Sequence, residues 1–435
     1  MRGIVYRIYA NPKNKQLFLW IKLISITGIA QVIVQSVGFI CGILVIRLLP
    51  PQEYALYILA YTMLGTINLL SDGGISTGIM SQGGKVWQDK EKLGVVLATG
   101  LDLRRKFAVG SLMVTTPLLI YLLLHHGASW LTSILTVASL IPAFYAALSD
   151  SLLEIPPKLH QAILPLQKNE VSVGLGRLLL SGLTLFVFPY TFVAIIASGI
   201  PRIYGNYKLR KISAEFVSKK QLPDPEVRSE VLNVVKRILP GTIYYCFSGQ
   251  IAIWLISIFG NTNAVAQLGA LGRIVFVISV LNSIIVVLII PRFARLKDNK
   301  HNIQSFFWKV HWALWILSCI ITFLVYFFSK EILWLLGDNY SNLTNEITLS
   351  MAGGCISLIA GISLSLYTSR GWVINPMISI SLSILALVLG VLVFDIHNLM
   401  GVVKLNILVA INQYFVHTIY CIVKIYKLKP VAESE

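Results

Sequence analysis

The sequence predicts an all-α polytopic membrane protein, with twelve transmembrane helices in two pseudo-symmetric six-helix bundles around a central cavity. Three observations carry that prediction. Hydrophobic residues make up 56% of the 435-residue chain and charged residues only 13%, with a mean hydropathy of +0.75, whereas soluble domains hold about 25% charged residues. Apolar stretches long enough to cross a bilayer recur along the whole chain. The basic residues fall between those stretches, on alternate sides.

Candidate spans centre near Val34, Ala60, Thr115, Val137, Leu180, Ala194, Ala252, Val280, Ser318, Leu358, Ala386 and Phe415. The second is typical: its apolar run from Tyr54 to Leu70 lies between Arg47 and Glu53 on one side and Asp72 on the other. At 1.5 Å per residue the run reaches roughly 25 Å, close to the thickness of a hydrocarbon core. Most connections are short, so consecutive helices are expected to be antiparallel neighbours.

With the N-terminus inside, all of the 36 Lys and Arg fall in inner segments except Arg47, Lys330 and Lys404 outside and Arg177 and Arg273 within spans. The positive-inside rule therefore places both termini in the cytoplasm. The longest polar stretch falls at mid-chain and sets the expected boundaries: an N-terminal tail over 1–22, a first bundle over 23–205, a cytoplasmic linker over 206–236, a second bundle over 237–427 and a C-terminal tail over 428–435. Sliding the halves past each other by 210 positions pairs Gln31, Gln35, Gly38 and Gly42 with Gly241, Tyr245, Ser248 and Ala252. Small and polar residues thus recur at the same spacing. That is the mark of an internal repeat, which in transporters places the substrate site between the repeats.

Several residues are candidates for chemistry. Gln31 and Gln35, with Gly28, Gly38 and Gly42, form a polar stripe on the first helix that suits either tight helix packing or a cavity lining. Arg177 and Arg273 are costly inside a span, and each must snorkel, pair or meet a ligand. Asp72, in the sequence SDGG, reads as a helix terminator, with a gate or ion-coupling role as the alternative. No acidic residue reads as lying deep in a span, so a proton or sodium site is not legible, although Asp72 or main-chain carbonyls could serve.

Other function classes lack their signatures. The net charge of +17 comes without a water-soluble basic module, which excludes a nucleic-acid partner. No HExxH, GxSxG or Walker sequence is present, and the outer segments leave little room for an active site. Neither enzyme activity nor a cofactor or metal is expected. Cys41, Cys246, Cys319, Cys355 and Cys421 lie in or beside apolar runs and read as small hydrophobes. His125 and His126 read as interfacial polar residues.

The run RLLPPQEYALY followed by a span and SDGG resembles the opening of bacterial polysaccharide-export flippases, through Arg47, Leu49, Pro50, Glu53, Tyr54, Tyr57, Asp72 and Gly73. Ala55 stands where that pattern has Gly. PRFARL from Pro291 and EILWLLGDNYSN from Glu331 are similar to later motifs of the same group, which is a branch of the multidrug, oligosaccharidyl-lipid and polysaccharide exporter superfamily.

The resemblance implies a flippase in the bacterial cytoplasmic membrane that turns an undecaprenyl-diphosphate-linked oligosaccharide (an O-antigen, exopolysaccharide or capsule repeat unit) between leaflets. Its partners would be membrane lipids, a polysaccharide polymerase and glycosyltransferases. It gives Arg273, Arg177 and Arg47 the diphosphate to bind, while Gln31, Gln35 and Tyr245 are candidate substrate contacts from the polar stripe and its repeat partner, since sugar contacts do not carry over from the family. The alternatives are a cation-coupled drug exporter of the same superfamily, which needs buried carboxylates, and a membrane-embedded glycan polymerase or ligase.

Overall fold

The computed structural model describes residues 32–428 apart from 219, 220, 295, 297, 298, 371 and 373. Those residues form an all-α, multi-pass membrane protein with no strand among them. Ten of its helices are long and apolar enough to span a bilayer. Gln31 and the side chain of Tyr245 lie outside the described residues.

In chain order the first half contains α1 (Val32–Leu48), α2 (Pro51–Asp72), α3 (Ile75–Val86), α4 (Lys90–His125), α5 (Trp130–Leu153), α6 (Ile155–Leu159), α7 (Ile163–Val187) and α8 (Thr191–Ser213). The second half contains α9 (Pro225–Phe259), α10 (Thr262–Val275), α11 (Val277–Ala294), α12 (Lys300–Phe327), α13 (Ser329–Leu336), α14 (Thr344–Ser369), α15 (Pro376–Val393) and α16 (Leu399–Tyr426). Each expected span centre falls in a separate helix. The repeat is visible in the starting positions: α2, α4, α5, α7 and α8 begin at 51, 90, 130, 163 and 191, and α10, α12, α14, α15 and α16 at 262, 300, 344, 376 and 399. An offset close to 210 thus carries one set of helices onto the other.

Local chemistry sets these boundaries. Pro51 opens α2, where a missing N–H is harmless, and the Tyr54 N–H donates to the Pro50 carbonyl at 2.8 Å. At the other end Gly73 and Gly74 take φ of +50° and +98°. A Cβ on Gly74 would also meet Ile238 at 2.9 Å, so both conformation and space call for glycine there. Side-chain caps start other helices: Ser129 for α5, Asn261 for α10, Asn299 for α12, Asn375 for α15 and Asn398 for α16.

The chain forms two compact units. Among the described residues one comprises the chain up to Val45, Ala60–Leu124 and Ala128–Cys246, and the other Ile46–Leu59, His125–Gly127 and the chain from Phe247 onward. In the first unit α8 packs on both α5 and α7, over a core of Ile75, Ile79, Leu103, Leu152, Leu209 and Val231. Val231, in the mid-chain stretch read as a linker, is fully buried there. In the second unit α14 is central and packs on α16, α12 and α11, with α15 against α16. The five cysteines carry no disulfide, and four are buried while Cys319 is exposed.

His126 is not the interfacial residue its position predicts. It is 4% exposed, with Nε2 at 2.9 Å from the Ser257 carbonyl and Nδ1 at 3.1 Å from the Thr262 hydroxyl. Donation to a carbonyl puts the proton on Nε2, and Nδ1 then accepts from Thr262. Burial holds the imidazole below its ordinary 6.5, outweighing the bond to Ser257, and His125 pushes the same way as burial.

The folded state therefore binds fewer protons than the unfolded chain on acidification, and stability falls as pH drops through about 6.5. We expect the melting temperature of the purified protein to fall between about pH 7.5 and 5.5, and His126→Gln to flatten that slope. In His126→Ala the Ser257 carbonyl loses its donor, at a cost of about 1 to 2 kcal/mol at neutral pH, read by thermal denaturation.

Candidate functional site

The first unit contains a cavity of about 180 Å³ whose polar wall is formed by Asp150, Glu154, Asn169, Glu170, Arg177 and Arg202. Gly38, from the polar stripe of α1, also lines it. Close helix packing builds the wall. A Cβ on Gly205 of α8 would lie 2.2 Å from Val173 of α7, so only glycine permits that approach, and the Asn169 amide donates to the Gly205 carbonyl at 3.1 Å to fix the register.

Most of the charge is matched internally. Asp150 is 4% exposed and pairs with the Arg202 guanidinium. Asn206 donates to the Asp150 carboxylate and to the Ser149 hydroxyl, the latter at 2.7 Å, and accepts from Arg210 at 3.0 Å. Glu154 takes Lys158 at 2.7 Å. Glu170 and Arg177 remain, with no ion pair to either among the described residues. Arg177 lies about four turns into α7, deeper than snorkelling from the helix start requires. Three buried polar atoms on this wall, Asn169 Oδ1, Arg177 Nε and Arg202 Nε, have no hydrogen-bond partner among the described residues, and of these Arg202 Nε faces Asp150 in the ion pair. The cavity thus presents an unmatched donor, an unmatched acceptor and a carboxylate within one small hollow.

The other sequence candidates are placed differently. Asp72 accepts from the backbone N–H groups of Gly74 and Ser76 at 3.3 Å and pairs with the buried Arg104 at 3.4 Å, so it closes α2, opens α3 and holds α4. Arg47 donates to the carbonyls of Trp334 and Leu335, the former a short bond, the latter 2.8 Å, and lies over the Trp334 ring at 4.8 Å. It therefore caps the end of α13. Arg273 interacts with the hydroxyl of the fully buried Tyr54. Gln35 is half-buried on α1 and does not line the cavity.

Asp150 is an acidic residue buried in the last turn of a span-length helix, and the sequence does not single it out because DSLLE sits at the end of an apolar run and looks like a helix exit. Asn169, Glu170 and Arg202 were missed with it. The available signal was the spacing: Asp150 and Glu154 four apart, and Glu170 and Arg177 seven apart, put each pair on one helix face.

No protein-family model matches the sequence, and no curated protein matches it. Solved structures do match over nearly the whole chain. An inward-facing multidrug resistance MATE family transporter of the MOP superfamily aligns with a TM-score of 0.66 at 14% identity, covering 91% of this chain and 95% of its own. A MOP superfamily transporter from Pyrococcus furiosus, described as having a binding pocket of reversed polarity, aligns at 0.64 and 13%, covering 94% and 97%. A MATE protein in complex with MaD5 aligns at 0.63 and 15%, covering 94% and 96%. The chain therefore has the fold of MATE transporters, and it is a multi-pass membrane protein.

The Asp150–Arg202 pair makes a prediction about the cavity wall. Arg202→Leu leaves Asp150 buried and charged, at a cost of about 2 kcal/mol given that the Arg202 side chain is 35% exposed. Adding Asp150→Asn should recover most of that loss, as measured by thermal denaturation of the single and double variants.

Proposed function

We propose that this chain is a membrane transporter that moves a polyprenyl-diphosphate-linked oligosaccharide between leaflets by alternating access. The observation that carries the reading is the pairing of Arg177 Nε and Asn169 Oδ1, both buried and without partners among the described residues, on a cavity of about 180 Å³. A sugar phosphate satisfies both, since its oxyanion accepts from the guanidinium and its hydroxyls donate to the amide oxygen. Arginine suits the first task because its planar fork matches phosphate by paired hydrogen bonds. The likeness to MATE transporters supports transport in general. Energetics support the direction: in an inside-negative cell, moving a diphosphate of charge near −2 outward gains about 4 to 5 kcal/mol at 100 mV.

A second reading, a cation-coupled exporter of small organic cations, draws on the multidrug resistance transporter among the solved structures of this fold. Glu170, which faces the same cavity without an ion pair among the described residues, favours it.

Two substitutions separate the readings. If the cargo is a lipid-linked glycan, Arg177→Ala lowers export by about tenfold or more at unchanged membrane abundance, while Glu170→Gln keeps it. The assay is relief of inner-leaflet glycan accumulation in cells lacking their own flippase. If organic cations are carried, the pattern reverses in a dye-efflux assay, and full glycan export by Arg177→Ala rules out the first reading.

A further inference from the structure

The first unit holds a second, smaller hollow of about 20 Å³, lined by Arg104 and Arg105 of α4, Tyr145 and Ser149 of α5 and Arg210 of α8. It shares no lining residue with the cavity that contains Arg177. One water already needs about 10 to 15 Å³, so the hollow admits a few oxygen atoms and nothing larger. Three guanidinium groups line it and no Asp or Glu does, which suits an oxyanion.

The three arginines are held differently. Arg104 is 4% exposed, and its Nη1 serves Asp72, Ser76 and Ser151, while its buried Nε has no acceptor among the described residues. Arg105 and Arg210 are exposed, and neither has an ion pair among the described residues. Arg210 Nε donates to the Asn206 amide oxygen at 3.0 Å, and Asn206 in turn donates to the Ala146 carbonyl at 3.0 Å and the Ser149 hydroxyl at 2.7 Å. Helix α5 thereby positions Arg210 before any ligand arrives. The neighbouring acids are already matched, Asp102 by Lys106 at 2.7 Å and Asp150 by Arg202. Two guanidinium charges thus stand at the hollow without a counter-ion among the described residues.

Depth indicates which oxyanion. From Arg105 to the end of α4 at His125, and from the start of α8 at Thr191 to Arg210, each helix rises roughly 30 Å, the thickness of a hydrocarbon core. Both arginines therefore stand at the membrane–water boundary, the level of lipid phosphates. Beside them on α8, Lys208 and Lys211 lie over the Tyr204 and Tyr207 rings at 4.7 and 4.5 Å, and aromatic side chains of this kind anchor helices at that boundary. Toward the membrane interior the same helix faces turn apolar. Val109 and Met113 follow Arg105 at four-residue steps, Ile141 precedes Tyr145 by four and Ile203 precedes Arg210 by seven, and all four are exposed.

We propose that Arg105 and Arg210, backed by Arg104 and Tyr145, bind the phosphate of an anionic phospholipid of the surrounding membrane. The phosphate oxygens enter the hollow and accept from the guanidinium groups and the Tyr145 hydroxyl, the glycerol stays outside, and the acyl chains lie along Val109, Met113, Ile141 and Ile203. The positive-inside rule puts this end in the cytoplasmic leaflet, whose surface is anionic, and basic pockets between helices suit such headgroups. A zwitterionic lipid brings its own ammonium beside the phosphate and gains less from two unpaired arginines. The bound headgroup links α4 to α8. The site does not depend on what the protein transports.

Native mass spectrometry of the full-length protein, released from micelles carrying phosphatidylglycerol or phosphatidylcholine, tests the site. The expected result is that the wild type retains phosphatidylglycerol about tenfold or more tightly than phosphatidylcholine. The double variant Arg105→Gln/Arg210→Gln loses that preference, whereas Lys208→Gln/Lys211→Gln, which removes the same charge from the same end, keeps it. Millimolar inorganic phosphate leaves the lipid in place. Equal retention of the two lipids by the wild type overturns the proposal, as does a preference that survives in the arginine variant. A loss in the lysine variant as large as in the arginine variant assigns the effect to surface charge and overturns the site. Displacement of the lipid by inorganic phosphate makes the hollow a site for a free oxyanion and overturns the lipid assignment. The wild-type comparison and the phosphate competition leave the arginines intact, so a misfolded arginine variant does not spoil them. No export is measured, so this result and the transport reading stand or fall separately.

Discussion

Hydrocarbon offers no hydrogen-bond partner, so every polar group placed within a span must find its match in the chain or in a ligand. The arrangement of both units follows from that constraint. In the first, Asp150 is tolerated because Arg202 and Asn206 reach it, and Arg104 because Asp72 does. Other buried polar atoms of this unit lack a hydrogen-bond partner among the described residues, and the cavity gathers Asn169 Oδ1 and Arg177 Nε, which belong to no ion pair there, on one wall.

The two halves apply one helical plan with different chemistry. By the repeat offset α4, α5 and α8 correspond to α12, α14 and α16, and both sets bury polar side chains where they meet. The first set uses full charges, Arg104 and Asp150, the latter paired with the partly exposed Arg202. The second uses imidazoles and hydroxyls, His311, Ser363, His417 and Thr418. Charged pairs are costly to assemble, whereas neutral imidazoles and hydroxyls are cheaper to bury. A duplicated scaffold can thus keep its packing while its halves bury different chemistry.

Much of the fold was legible in the sequence, because spans, caps and breakers are local. The apolar runs located the twelve expected spans, SDGG marked the end of α2, and Asn or Ser stands before several helix starts. The repeat could be read from small polar residues before any helix boundary was known. The candidate site was legible only in part. Arg177 stood out because an arginine in an apolar run is conspicuous, and Gly38 because it lies on a stripe. Asp150, Asn169 and Glu170 did not, since acids and amides near the end of a run look like residues on their way into water. Whether such a residue turns inward depends on a glycine such as Gly205 on another helix, and that information is non-local. Arg47 meets the same limit: its motif was visible, but its acceptors lie far along the chain.

That separation has a consequence for biogenesis. The helix α13 has eight residues, too few to persist alone, and its last carbonyls are held by a side chain 287 and 288 positions earlier. During synthesis Arg47 emerges and must wait while nearly two thirds of the protein is made before its acceptors exist. The segment around Trp334 therefore settles late, once most of the polypeptide has been inserted, and a chain released early leaves that arginine with nothing to close upon.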